Sequence, residues 1–177
     1  MRRVAVAPCV LVLILLHLLA NGAAQASGET LFVYLEETPN SVGLYEMPVR
    51  EGLMSGLFER DHVVFDDVRP AYNVNWQSHG FKQLINSAAD GGASILVAVK
   101  VTYRFTPLQD ELKTIDGTAR FYCYEVEEER LISHGTVRSD NAGREQEVDR
   151  EGLGILLGEE LSVEIDRVCA QRRVLRP

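Results

Sequence analysis

The side chains that could do acid–base or metal chemistry lie far apart in this sequence. After residue 26 there are three histidines, and none of them has a second histidine four residues away. Such a pair on one helix would place two imidazoles on a zinc ion. The nearest approach to a metal site is His62 with the acids Asp61, Asp66 and Asp67. Acids beside a strand end are usually only solvated, so we predict no metal and no cofactor.

The serine and glycine motifs do not indicate catalysis either. Ser55 lies between Gly52 and Gly56, but a hydrolase nucleophile needs the centre of G-x-S-x-G at a strand-to-helix turn. Ser55 is off that register and falls inside a predicted helix. Gly154 and Gly158 repeat the four-residue spacing without a preceding strand, so they are not a dinucleotide-binding fingerprint. The sequence therefore predicts a protein that is not an enzyme.

The glycine pairs Gly52/Gly56 and Gly154/Gly158 have a structural interpretation instead. Glycine costs about 1 kcal/mol relative to alanine in a helix interior, so some favourable contact should offset it. We expect the helix backbone to approach the sheet or another helix closely at these positions. A contact between copies in a homo-oligomer is the alternative.

A polar loop over residues 66–79 carries Tyr72, Trp76 and His79. Aromatic side chains on loops are frequent anchors for partners, so we predict a partner surface at these three residues. Two alternatives stay open. Trp76 could fold back to cap the sheet, or dispersed residues around this loop could form a small-ligand or catalytic site.

Two cysteines follow the leader described below, Cys123 and Cys169. In an oxidising compartment they could form a disulfide, which would contribute about 4 kcal/mol in the contested chain-entropy model. The alternative is a pair of buried thiols that pack as small apolar side chains. The sequence does not decide between the two.

Hydrophobic periodicity predicts the order of elements. Short apolar runs predict strands at 31–35 and 62–65. Helical spacing predicts helices at 48–59, 81–89 and 147–169, and Gly91-Gly92 stops the second of them. Alternation predicts the strongest strand at 95–105, whose first half, 95–99, is apolar on both faces and should be central, while Lys100, Thr102 and Arg104 share one face of the second half.

The remaining elements complete a mixed fold. Asp116-Gly117 indicates a hairpin turn before a strand at 118–126, a further strand covers 131–138, and residues 172–177 should fray. Helices with one apolar stripe need a sheet to cover. We therefore predict an α/β (α+β) fold in the order β-α-β-α-β-β-β-α, with three helices on a mixed sheet of about five strands.

The first 26 residues have the pattern of a cleaved secretion signal. Arg2 and Arg3 precede an almost wholly apolar run at 4–20, and Ala24-Gln25-Ala26 supplies a cleavage site. We expect cleavage after Ala26 and a single globular domain over 27–177, periplasmic or secreted. Cys9 lies inside the apolar run and not at the cleavage point, so no lipid anchor is expected, and no later segment is apolar enough to span a membrane.

Charge excludes one class of partner. Loss of Arg2 and Arg3 reduces the 18 basic residues to 16 against 26 acidic ones, a formal charge of −10. Nucleic-acid binding draws its affinity from lysine and arginine at phosphates, so nucleic acid is not expected as a partner. Such a charge favours solubility.

The order of elements and the segment Ala88-Ala89-Asp90-Gly91-Gly92-Ala93-Ser94-Ile95-Leu96-Val97-Ala98-Val99 resemble a group of bacterial envelope domains. The group includes the amino-terminal domain of TolB, the periplasmic part of the curli secretion subunit and the lipoprotein activators of penicillin-binding proteins. Ser94 stands where an acid is common in them, and Ala98 where a glycine is common. The resemblance implies a non-catalytic envelope module that acts through contacts with another envelope protein.

Overall fold

The computed structural model describes residues 28–38, 48–66, 79–108, 111–141 and 149–175. Within these ranges lie five strands and three helices. The strands are β1 (Thr30–Thr38), β2 (Val63–Asp66), β3 (Ile95–Leu108), β4 (Glu111–Glu125) and β5 (Arg130–Asp140). The helices are α1 (Pro48–Phe58), α2 (His79–Asp90) and α3 (Arg150–Leu175). The predicted α/β fold and its element order are confirmed, whereas the predicted leader lies outside the described residues.

The five strands form one mixed sheet in the order β2-β1-β3-β4-β5. β1 pairs in parallel with both neighbours, so that Leu31 lies opposite Val64 on one side and Ile95 on the other. β3, β4 and β5 are antiparallel. Parallel strands need a crossover, which α1 and α2 supply. The apolar half of β3 lies between β1 and β4, as its two apolar faces predicted.

The main core lies between the sheet and the helices α1 and α3. Alternate residues of the strands point to this face and are buried there, including Val33, Val97, Val99 and Phe121. Helix α3 contributes Leu157, Leu161 and Ile165. Burial of each such side chain contributes about 1.5–3 kcal/mol, so this layer determines where both helices lie.

Helix α2 covers part of the opposite face. Leu84, Ile85 and Ala88 pack against Phe32 and Leu96 in a second, smaller cluster. The helix ends where the sequence predicted, because Gly92 has a φ of 74° and the Ala93 N–H donates to the Ala88 carbonyl at 2.9 Å. A left-handed glycine of this kind is a common helix terminator.

Glycines bring α1 and α3 into backbone contact. A Cβ placed on Gly52 would lie 2.1 Å from the carbonyl oxygen of Ile155, and one on Gly158 would lie 2.3 Å from that of Val49. A Cβ on Gly154 would lie 2.7 Å from Cγ of Pro48. The predicted close approach is therefore confirmed, and it is an approach of one helix to the other.

Two predicted element ends were wrong. Asp116 and Gly117 lie inside β4, opposite Arg104 and Tyr103, and not in a turn. Asp116 forms an ion pair with Arg104, and a Cβ on Gly117 would lie 3.2 Å from the Tyr103 ring. The glycine therefore makes room for an aromatic side chain, which is a known use of glycine within strands.

The predicted fraying of the carboxyl-terminal tail was the second error. Helix α3 continues to Leu175, beyond the point at which the sequence predicted fraying. Its last turn contains Arg172, which is only 9% exposed because buried carboxylates bind it. Those carboxylates are distant in sequence, so a local pattern could not reveal them.

Candidate functional site

The outer side of β4 and β5 is an exposed sheet face. Arg120 and Tyr122 of β4 lie opposite Thr136 and His134 of β5, on the side away from α1 and α3 because their chain neighbours are buried there. All four are exposed except Tyr122, which is partly buried. We define the open sheet face as Lys100, Arg104, Arg120, Tyr122, His134, Thr136 and Arg138.

Basic side chains outnumber acidic ones on this side of the sheet, where Glu36, Asp116 and Asp140 lie on the same face as the four lysine and arginine residues. Lys100 lies directly opposite Arg120, an arrangement of like charges that destabilises a strand pair. Glu36 neutralises Lys100 at 3.1 Å. Arg120 and Arg138 are exposed, and neither has an ion-pair partner among the residues that the structure describes. These two guanidinium groups, on a chain of strongly negative net charge, make this face a candidate for an anionic partner.

An aromatic pair lies beside these charges. The rings of Tyr122 and His134 are stacked with centroids 6.1 Å apart and an interplanar angle of 29°. Stacked rings on a sheet are rigid and lose little side-chain entropy when a partner covers them. The sequence signal for this surface was the alternation that placed Lys100 and Arg104 on one face, but pairing with β5 could not be read from it.

The predicted partner loop lies largely outside the described residues. Tyr72 and Trp76 belong to the undescribed range 67–78, and His79 is the first residue of α2, with its side chain not described. The prediction that these three residues form a partner surface therefore stays a prediction. The described residues show that this loop connects Asp66, at the end of β2, to the start of α2.

Hydrogen bonds within the fold hold the ring of His62 in place. Its buried ring accepts a hydrogen bond at Nδ1 from the Glu29 N–H at 3.0 Å. The other ring nitrogen, Nε2, lies 3.1 Å from a carboxylate oxygen of Asp166 and donates to it, because an imidazole that accepts at Nδ1 carries its hydrogen on Nε2. Both ring nitrogens are thus used between the sheet and α3.

The weak metal candidate around His62 is not assembled by the described residues. Asp66 pairs with Arg50 of α1, and the exposed Asp61 precedes β2. Asp67 lies outside the described residues. In the ranges that the structure describes, no three histidine, cysteine or acidic side chains are grouped in a way that could hold a metal ion.

An ion cluster lies at the end of the sheet where β1, β2 and β3 begin, the same end as His62. Arg172 donates from Nε and Nη2 to Oε1 of Glu125 at 3.0 and 2.7 Å, and from Nη1 to Glu29 at 2.8 Å. Arg130 donates to the second oxygen of Glu125 at 2.8 Å, and Ser94 donates to the second oxygen of Glu29 at 2.7 Å. These contacts join the start of the first strand, the β4–β5 hairpin and the end of α3.

Two glutamates have pKa values displaced in opposite directions. Burial acts to raise the pKa of Glu29, but hydrogen bonds from Ser94 and Arg172 and the charge of Arg172 outweigh it and leave that pKa below its ordinary value. Burial also raises the pKa of Glu37, and here the opposing effects of Tyr103 and Arg150 are too weak to reverse it.

Glu37 belongs to a second polar cluster at the carboxyl end of β1. Its side chain is 4% exposed, and Arg150 of α3 donates to Oε1 at 3.1 Å. The guanidinium of Arg150 also lies 4.9 Å from the ring centroid of Tyr103. Open α/β sheets bind ligands at the carboxyl ends of parallel strands, so this cluster is the described feature that best fits a small-ligand site.

The two cysteines are buried in the main core as free thiols. Burial raises the pKa of both and brings that of Cys169 to about 12. A thiol attacks only as its thiolate, so we expect both groups to be almost inert to Ellman's reagent in the folded protein.

Thiol counting distinguishes the two alternatives, a disulfide between these cysteines or two free thiols. We expect two thiols per chain to react after denaturation without reductant, with none reacting beforehand. A count of zero after denaturation would show a bridge. Reaction of either thiol in the folded protein would contradict the burial described above.

The described helices include none that is long and apolar enough to cross a membrane.

Comparison with protein-family models gives no match, and comparison with curated proteins gives none either. Solved structures do match. The protein CT253 from Chlamydia trachomatis has a TM-score of 0.53 at 12% identity, covering 81% of this chain and 99% of that one. A PelC dodecamer from Paraburkholderia phytofirmans has a TM-score of 0.50 at 15% identity, covering 82% and 91%.

TolB from Acinetobacter baumannii also matches. Its TM-score is 0.44 at 12% identity, and the match covers 80% of this chain and 28% of TolB. The matches to CT253 and PelC confirm the predicted topology. At these identities the similarity concerns the fold alone.

Proposed function

We propose that this chain is an exported, non-catalytic accessory protein of the bacterial envelope that acts through protein–protein contacts. The single observation that carries the proposal is the open sheet face. It presents Arg120 and Arg138 without ion-pair partners among the described residues, next to the stacked Tyr122 and His134. Arginine and tyrosine are among the residue types most often found at the energetic centres of interfaces.

The buried ionisable groups support a non-catalytic role. His62 uses both ring nitrogens in contacts with Glu29 and Asp166, and Glu125 accepts from Arg172 and Arg130. A general acid or base must reach a substrate proton, and groups committed to internal pairs do not. Their positions therefore fit a role in holding elements together.

Location in the envelope is the second part of the proposal. The charged start, the apolar run and the small residues up to Ala26 are the pattern of a secretion signal. The resemblance to envelope domains is consistent with this location. We propose that cleavage after Ala26 releases a single domain to the periplasm or the exterior.

Site-specific photocrosslinking in the native host tests the contact. A benzoylphenylalanine at Thr136, which is exposed on the open sheet face, should give a discrete protein adduct, and the matched control at the exposed Glu127 of the β4–β5 hairpin should not. Arg120→Glu should reduce the adduct by about tenfold, because the reversed charge repels an anionic partner. Trp76→Ala should weaken capture without unfolding if the predicted loop also contributes.

Equal adducts from Thr136 and Glu127, or an adduct unaffected by Arg120→Glu, would contradict the proposed contact surface. An adduct that survives Trp76→Ala would remove the loop with Tyr72, Trp76 and His79 from the proposal. Circular dichroism of each variant confirms that the fold is retained.

A small-ligand-binding protein or enzyme is the second candidate. Glu37 favours it, since a buried carboxylate with a raised pKa lies at the carboxyl end of β1. A small molecule seen in native mass spectra and lost in Glu37→Gln, together with no protein adduct, would favour this candidate over the first.

A further inference from the structure

The outer surface of the helix layer has the opposite charge to the open sheet face. Exposed acids there are Glu51 on α1 and Glu151, Glu159 and Glu160 on α3. Glu164 is paired with Arg167, and Arg60 is directed at the Gly56 carbonyl. Acidic groups still outnumber basic ones on this surface, although Glu160 also has a contact of its own within the chain and Arg167 and Arg173 are exposed on α3.

An apolar group lies among these acids. Val163 is 41% exposed on α3, one turn beyond Glu159 and Glu160. An apolar contact surrounded by charge is the composition of many interface patches. Its counterpart on the other side of the molecule is the ring pair of Tyr122 and His134, surrounded by Arg120 and Arg138.

The two surfaces lie on opposite sides of the same sheet. Helices α1 and α3 cover the face that buries Ala119, Phe121 and Cys123, whereas Arg120 and Tyr122 point away from it. One molecule could therefore use both surfaces at once without steric conflict. Contacts between two different surfaces of identical chains are heterologous and build rings or filaments.

We propose that the open sheet face binds the acidic outer surface of α1 and α3 on a second copy of this chain. This inference rests on the proposed function at the same face and names its partner. Arg120 and Arg138 of one copy meet Glu159 and Glu160 of the next, and Val163 covers the Tyr122–His134 pair. Among the described residues, the acidic surface of α1 and α3 is complementary in charge to the open sheet face, and we therefore choose a second copy over another acidic protein.

The expected association is weak and salt-dependent. The patch spans three strands, about 10 Å between the outer two, so each contact is at the low end of interface sizes. Exposed charge pairs are screened at physiological ionic strength. The average mass should therefore rise with protein concentration at low salt and fall back towards the monomer as salt is added.

Charge-swapped variants test the inference by sedimentation velocity. The sheet variant Arg120→Glu/Arg138→Glu and the helix variant Glu159→Lys/Glu160→Lys should each remain monomeric alone, with association weakened at least about tenfold. Mixing the two should restore association, because the reversed sheet face of one is complementary to the reversed helix surface of the other. The control Glu127→Lys/Glu129→Lys changes the charge equally at the exposed β4–β5 hairpin and should associate like the native chain.

Failure of this inference is distinguishable from failure of the proposed function. A native chain that stays monomeric at every concentration, or a mixture that does not reassociate, would overturn the second-copy partner. If Thr136 then crosslinks to a different protein, the proposed function stands and only the identity of the partner is wrong. Absence of both association and adduct would overturn both.

Discussion

Replacement of Arg172 by methionine is expected to lower the free energy of unfolding by about 3 kcal/mol, the lower end of the cost of breaking a buried ion pair. The guanidinium makes three hydrogen bonds, two to Glu125 and one to Glu29. Glu125 is only 2% exposed, so its charge cannot be hydrated when the arginine is lost. Arg130 still contacts its second oxygen, which is why we expect the lower end. Urea denaturation gives the value.

Arg173→Met is the matched control for this change. Arg173 is adjacent in the same turn of α3 but exposed, with Asp166 as a 4.0 Å partner. Pairs of this kind contribute about 1 kcal/mol at most. Equal losses from the two variants would contradict a special role for Arg172, whereas partial recovery in Arg172→Met/Glu125→Gln would show that the buried carboxylate causes the loss.

The cost of Arg172→Met should also depend on pH. The pKa of Glu29 lies below its ordinary value of 4.5 in the folded chain, so its ionised form favours folding. That stability is present above pH 4.5 and is lost as pH falls through the lower, folded pKa. Because Arg172 helps to lower this pKa, the difference between native chain and variant should narrow under acidic conditions. A difference that widens as pH falls would contradict this assignment.

The sequence predicted the elements better than the contacts between them. Alternation along β3 was sufficient to show which side of the strand is apolar, because a pleated strand has a fixed period of two. Gly91-Gly92 identified the end of α2 for a similarly local reason. The errors occur where contacts with residues distant in sequence determine whether a strand or helix continues. Gly117 sits inside a strand to accommodate Tyr103, and the end of α3 is stabilised by Glu29 and Glu125.

The open sheet face also depends on contacts between strands that local sequence patterns do not reveal. Lys100 and Arg104 were placed on one face by spacing alone, but the exposure of Arg120 and Arg138 depends on β5 pairing beside β4 and on α2 covering a different part of the sheet. His62 was noted for its acidic neighbours in sequence. The acidic side chain that its ring contacts is Asp166, which is 104 residues away in sequence, and no local pattern connects the two residues.

Replacement of Gly158 by leucine is expected to destabilise the fold by about 3 kcal/mol, the upper part of the usual range for overpacking. The Cβ alone would lie 2.3 Å from the Val49 carbonyl oxygen and 2.6 Å from the Leu53 nitrogen. These are backbone atoms of a helix, so they cannot move aside as the end of a side chain would, and α1 must shift away from α3. Thermal unfolding measures the loss.

Helix propensity makes this prediction sharper. Any residue other than proline that replaces a glycine within a helix should gain up to about 1 kcal/mol, so a net loss can come only from the contact with α1. Gly158→Ala should already be destabilising for that reason, and Gly158→Leu more so. Ala170→Leu adds bulk at an exposed position of the same helix and should change stability little. If Gly158→Ala were as stable as the native chain or more stable, the backbone contact between α1 and α3 would not be as close as described.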